Sequence, residues 1–219
     1  MTEDLESYIE SRVSPEPGRL AALRRDINLR CLYPRMCSGH LQGRLLTLLT
    51  SMVAPARALE IGTYAGYSAL CIAEGLPEGS TLDTIEIDDE MEPRLRRLFD
   101  SDPLGAKINL HIADAERLLP SFPPESFQLV FMDADKRRYL ETFRAVLPLV
   151  APGGFILADN TLWDGKVADP EAKPDPQTAG IRRFNDAVGA DPSLLTVMLP
   201  LRDGLTLIQK KPQQHIDTL

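Results

Sequence analysis

The chain has 219 residues, 43% of them apolar and 26% charged, which is enough for one folded domain with a full core. A formal net charge of -8 argues against a nucleic-acid partner and against anionic membranes, and no window approaches the ~18 consecutive apolar residues of a membrane span. The three cysteines, Cys31, Cys37 and Cys71, have no framework spacing, and the acidic start lacks an apolar leader core, so a cytoplasmic location is expected. Short basic clusters at Arg24–Arg25, Arg94/Arg96/Arg97 and Arg137–Arg138 read as solvated faces.

In chain order, residues 4 to about 52 carry a helical pattern. Leu20, Leu23 and Ile27, then Leu41, Leu45, Leu48 and Leu49, recur at helix spacing, and Pro15, Pro17 and Pro34 divide the region. From Arg57 the texture changes. Short apolar runs at 58–62, 80–87, 108–113, 127–133 and 154–159 alternate with helix-length segments at 65–75, 90–100, 114–119 and 136–150. That alternation predicts βαβ units around a buried parallel sheet. The tail differs: two apolar runs, 194–201 and 205–211, flank Asp203-Gly204 and predict a hairpin on the sheet's edge. The expected fold is a single α/β domain over residues 1–219, with a helical cap over about 1–52. Its Rossmann-like, seven-stranded, mostly parallel sheet carries the antiparallel C-terminal hairpin and has helices on both faces.

The first strand runs into Glu60-Ile61-Gly62-Thr63-Tyr64-Ala65-Gly66-Tyr67-Ser68. Glycines where strand turns to helix let backbone approach a ligand, although they equally suit a tight turn. The spacing is G-x-x-x-G rather than G-x-G-x-x-G, and no GK[ST] is present to cradle polyphosphate. Glu86 ends the next strand, about 20 residues on, where an acid can accept both ribose hydroxyls of an adenosine. With Glu60 favouring a cationic ligand, the set suits S-adenosylmethionine, a nucleoside with ammonium and sulfonium charges.

Asp133 and the pair Asp159-Asn160 end the fourth and fifth apolar runs. Neighbouring strands lie about 4.8 Å apart, so these groups can share one ion. Two carboxylates and an amide oxygen suit Mg²⁺, Mn²⁺ or Ca²⁺ better than zinc. Either acid alone would equally serve as a helix or turn cap. Lys136, three residues past Asp133, is a candidate general base near such an ion and a sulfonium, or else an exposed lysine in a first helical turn. The histidines offer less: His111 lies in a strand pattern, His215 in the tail, and His40 in a helical segment without an evident partner.

ALEIGTYAGYSAL (58–70), IEID (85–88), FMDADKRRY (131–139), ADNTLWDGKV (158–167), RRFN (182–185) and DGLTL (203–207) together resemble the cation-dependent, class I S-adenosylmethionine O-methyltransferases. That family holds the caffeoyl-CoA and catechol O-methyltransferases. The likeness runs from about Met36 to Lys211, with the motifs in order. It implies that Asp133, Asp159 and Asn160 are metal ligands and that Lys136 is the general base. It places Glu60, Gly62, Thr63, Tyr64 and Ser68 around the methionine and sulfur end of the cofactor, and Glu86 at the ribose. It also assigns cofactor contacts to Ala115, Asp133 and Asp135, sets Ser38 near the cofactor carboxylate and makes Met36 a lid residue. Departures from the pattern are Arg44, Arg202 and the weak strand motif HIADAE (111–116). Trp163 is a candidate wall for an aromatic acceptor or else core packing, and the loop 164–178 with the first 30 residues covers the acceptor side.

The expected activity is metal-dependent methyl transfer to a hydroxyl of a small catechol-like phenolic acceptor, by a homodimer joined through its N-terminal helices. The rivals are a nicotinamide-dependent oxidoreductase and a non-catalytic S-adenosylmethionine-binding module.

Overall fold

The structure is a computed structural model and describes residues 3–173 and 175–212; His215 lies outside the described residues. The N-terminal helices are α1 (Glu3–Glu10), α2 (Gly18–Arg30) and α3 (Gly39–Val53). The alternating region follows as β1 (Arg57–Ile61), α4 (Tyr67–Gly75), β2 (Thr81–Glu86), α5 (Glu92–Ser101), β3 (Ile108–Ile112), α6 (Ala115–Leu118), β4 (Phe127–Met132), α7 (Tyr139–Val146) and β5 (Val150–Asp159). Then come α8 (Pro176–Ala190), β6 (Leu194–Leu199) and β7 (Leu205–Lys210). All seven expected strands form one sheet in the order β3-β2-β1-β4-β5-β7-β6, with β7 antiparallel to both β5 and β6. The order reverses between β1 and β4, and in such sheets ligands bind beyond the carboxyl ends of the strands at this point. Among the described residues no helix is long and apolar enough to cross a membrane.

Contacts divide the chain into two compact units: Met1–Ala56 with Thr63–Ile112, and Arg57–Gly62 with Ala113–Leu219. In the first, α2 buries Leu20, Leu23 and Ile27, the face expected from their spacing. The face of α3 differs from expectation. It buries Gln42, Gly43, Leu46 and Thr50, while Leu48 is exposed. The reason is close helix packing: a Cβ on Gly75 of α4 would overlap the Thr47 carbonyl oxygen and crowd Thr50, so this approach turns the Gly43–Leu46–Thr50 side of α3 inward.

Arg44 belongs to the same seam, where its guanidinium bonds Glu74 at 3.1 and 2.9 Å, and Arg19 reaches that carboxylate at 3.1 Å. The hydrogen bond from Arg44 is the main reason the Glu74 carboxyl is held below its ordinary 4.5. A depressed folded-state value adds stability above about 4.5 that is lost as pH falls through the depressed value. Glu74→Gln is therefore expected to lower Tm at pH 7 and to flatten the loss of Tm on acidification below 4.5. Thermal melts of both proteins across pH 3–7 check this, and parallel acid limbs would contradict it.

In the second unit, β4 is buried along nearly its whole length, as an interior parallel strand should be. Its pairing with β5 slips between Phe127 and Leu129, so β5 starts at Val150, earlier than the expected 154. The connection from β7 to β6 spans residues 200–204, longer than a two-residue D-G turn. Residues 161–164 fold onto it: Leu162 N–H donates to the Asp203 carbonyl at 2.8 Å and Thr161 N–H to that of Gly204 at 3.1 Å.

Helix α8 was absent from the expected segments. Asp175 caps it, accepting from Thr178 N–H at 2.8 Å and from the Thr178 hydroxyl at 2.6 Å, and a proline opens it. Thr178, Ile181, Phe184 and Val188 form its buried stripe.

Candidate active site

The acid and lysine positions converge in the second unit. Asp133 and Asp159 each stand one residue beyond the last registered pair of β4 and β5, Met132 with Ala158. Asp133 N–H still donates to the Ile61 carbonyl at 2.9 Å, which continues the β1–β4 ladder. A Cβ on Gly62, whose φ is 96°, would overlap the Asp133 carbonyl oxygen, so glycine is required there.

The turn after β4 is capped by Asp135, which accepts from Arg137 N–H at 3.0 Å. Arg137 also grips the Asp135 carboxylate through its guanidinium, at 2.6 Å for the shortest contact, and this bond holds the carboxyl below its ordinary range. Asp135, assigned to the cofactor, is exposed.

Lys136 is buried, at 7% exposure, and so is not the exposed first-turn lysine of the alternative reading. Its Nζ lies 2.5 Å from Asp133 Oδ1 and 4.6 Å from the centre of the Tyr139 ring. Asp159 is 3% exposed, and its Oδ1 accepts from Asn160 N–H at 2.9 Å. Asn160 has a φ of 61°, a left-handed conformation that asparagine tolerates, and there the chain leaves the sheet.

Tyr139 had no expected role. Its hydroxyl lies 2.7 Å from the Met132 carbonyl and 2.6 Å from the Asp159 carbonyl, so its one proton is shared between the ends of β4 and β5. Burial, reinforced by Asp133 and Asp159, pushes that hydroxyl well above its ordinary 10 and keeps it a donor. Its position three residues from Lys136, where a helical turn brings side chains together, was the available signal.

The remaining expected positions in this unit are Glu60, fully buried in β1, and Ala115, half-buried at the start of α6. Trp163 is half-buried with φ 47°, on the segment that meets the β7–β6 connection.

The first unit holds the other cofactor candidates. Glu86 ends β2, buried, and accepts from Tyr64 N–H at 2.6 Å and Asp88 N–H at 2.9 Å. Burial raises its carboxyl despite those bonds. Tyr64 takes a left-handed φ of 48°, and its hydroxyl donates to the Tyr33 carbonyl at 3.0 Å. Burial pushes that hydroxyl up to about 12. Thr63 and Thr84 share a 2.6 Å hydroxyl contact, which ties the loop to β2. Ser68 and Ser38 are buried, and Met36 is exposed. His40, expected to lack a partner, contacts the Ser14 carbonyl at 2.8 Å, and His111 pairs with buried Asp83 at 2.8 Å. Besides Arg137, four of the basic-cluster arginines have partners: Arg24 pairs with Glu16, Arg94 with Asp26, Arg96 with Glu92 and Arg138 with Glu116.

A family model described as O-methyltransferase matches residues 10–211. The chain belongs to the O-methyltransferase family. It is 32% identical over 213 residues to a catechol O-methyltransferase of Niastella koreensis, covering 94% of this chain and 96% of that one. It is also 32% identical over 221 residues to caffeoyl-CoA O-methyltransferase 2 of Zea mays, covering 95% and 83%. Among solved structures, an SAH-bound Podospora anserina methyltransferase superposes with a TM-score of 0.88 at 27% identity, over 95% of this chain and 94% of that one. The O-methyltransferase TomG of Streptomyces achromogenes, in complex with SAM, gives 0.85 at 27% identity, over 96% and 100%. The seven-stranded sheet is thus the methyltransferase fold, and family membership displaces the oxidoreductase alternative.

Proposed function

We propose that this O-methyltransferase moves the methyl group of S-adenosylmethionine to one hydroxyl of a small vicinal diphenol, with a divalent cation bound at the ends of β4 and β5. The observation that carries this is a buried lysine amine set on Asp133, with Asp159-Asn160 ending the neighbouring strand. Relatives named for catechol and caffeoyl-CoA substrates support the acceptor class.

The donor chemistry fits the cation. Asp133, Asp159 and Asn160 offer two carboxylates and an amide oxygen, a hard set suited to Mg²⁺. Among the described residues no group of three His, Cys, Asp or Glu side chains could hold a metal, and the Asn160 amide is the third donor of the proposed set. Bound there, the cation would withdraw charge from the acceptor oxygens and ease the loss of a proton.

S-adenosylmethionine supplies a methyl group on a positively charged sulfur, and Glu86, Tyr64 and Ser68 are the residues proposed to hold it. Lys136, in its amine form, takes the proton from the acceptor hydroxyl. The freed oxygen pair bonds the methyl carbon while the carbon–sulfur pair departs with sulfur. Nothing covalent forms on the protein, so its contribution is alignment and proton removal. We further propose a homodimer joined at the N-terminal helices, where Leu29 of α2 and Leu48 and Met52 of α3 are exposed. Sedimentation should then show twice the chain mass.

The test is methyl transfer from labelled S-adenosylmethionine across a panel of catechols, caffeoyl esters and flavonoids. A labelled methyl ether is expected. Tight cofactor binding with transfer to none of them would instead favour a binding module without turnover.

A further inference from the structure

We propose that Tyr139 is the positioning residue of this site, setting the spacing of the β4 and β5 ends with its hydroxyl and seating Lys136 with its ring. The proposal rests on the metal-dependent methyl-transfer function given above. The last registered pair of β4 and β5 is Met132 with Ala158, one residue short of Asp133 and Asp159. The Tyr139 hydroxyl ties the two strand ends together at that point. It sits at 2.7 Å from the carbonyl preceding Asp133 and at 2.6 Å from the carbonyl of Asp159 itself. Its ring lies beneath Lys136 Nζ, 4.6 Å away, and Nζ also touches the Asp133 carboxylate. One side chain therefore contacts the proton acceptor, the Met132 carbonyl that precedes Asp133, and the carbonyl of Asp159.

Tyr139 is itself held. It is fully buried, and Phe184 of α8 meets it edge-on with ring centres 4.9 Å apart. Helix α8 also presses on the turn that carries Lys136. Gly180 has no Cβ, and one built there would overlap the Lys136 carbonyl oxygen. Arg183 donates to the Arg137 carbonyl at 3.2 Å from the same helix. Support thus runs from α8 through Phe184 to Tyr139, and from Tyr139 to the strand ends and the lysine. Groups that orient metal-binding side chains from behind cost about 10- to 100-fold in metal affinity or activity when removed.

The experiment compares the parent with Tyr139→Phe and Phe184→Leu. Mn²⁺ binding is followed by the electron paramagnetic resonance signal of the free ion, alongside kcat and KM for S-adenosylmethionine. Tyr139→Phe keeps the ring under Lys136 and loses only the hydroxyl. Its Mn²⁺ affinity and kcat should each fall by about 10-fold or more, with the cofactor KM unchanged. Phe184→Leu keeps the hydroxyl but loosens the ring, and should shift both quantities in the same direction to a smaller degree. It remains informative if Tyr139→Phe fails to fold. A change in Tm alone, with affinity and kcat at parental values, would show a merely structural residue and overturn the proposal. If the parent neither binds Mn²⁺ nor transfers methyl, the proposed function fails and this role fails with it. Parental binding and turnover with unaltered variants would overturn only the role of Tyr139.

Discussion

Lys136→Ala should lower kcat for methyl transfer by about 10²- to 10⁴-fold, the range over which a positioned general base acts, while the KM for S-adenosylmethionine stays near the parental value. The lysine is buried against Asp133 and the Tyr139 ring, which holds Nζ at the end of β4. Truncation leaves the Asp133 side chain, 26% exposed, in reach of solvent, so the fold should survive. Lys136→Arg should be nearly as inactive, since a guanidinium keeps its proton at any working pH. Steady-state and single-turnover assays with labelled donor, with a thermal melt of each variant, read the outcome. An alanine variant with near-parental kcat would place the base elsewhere.

The second large effect belongs to Asp159. Asp159→Asn keeps the size of the side chain and an oxygen that can accept from Asn160 N–H, the contact seen at 2.9 Å. It removes one of two carboxylates from the proposed cation set. Activity should fall by about 100-fold or more, since several kcal/mol of charge stabilisation depend on the ion. Raising Mg²⁺ should recover part of the loss, because weakened binding yields to mass action. The Mn²⁺ titration should show the same weakening without turnover. Full activity at ordinary Mg²⁺ would remove Asp159 from the site.

Much of this molecule is legible in its sequence for physical reasons. Strands buried on both faces must be apolar runs, and a run that stops at a carboxylate marks where the strand meets solvent or ligand. For that reason β4 with Asp133 and β5 with Asp159-Asn160 could be paired before any coordinates. What stayed hidden depended on contacts distant in sequence. The face of α3 follows from its approach to Gly75, which overrides its leucine spacing. Tyr139 reads as one more apolar helix residue until its hydroxyl is seen between two carbonyls. Helix α8 opens within a stretch rich in proline and charge that resembles a loop. Its signal, Asp175-Pro176 followed by Ile181, Phe184 and Val188, was nevertheless present. Arg44, read from the resemblance as a departure, pairs with Glu74 in the α3–α4 seam, a contact 30 residues apart in sequence.

The most direct measurement is methyl transfer to a catechol by the chelator-treated protein, before and after Mg²⁺ is returned. Metal-dependent transfer at the β4–β5 ends requires that chelation abolish product and that Mg²⁺ restore it. Methyl ether formed at the same rate with chelator present would contradict it.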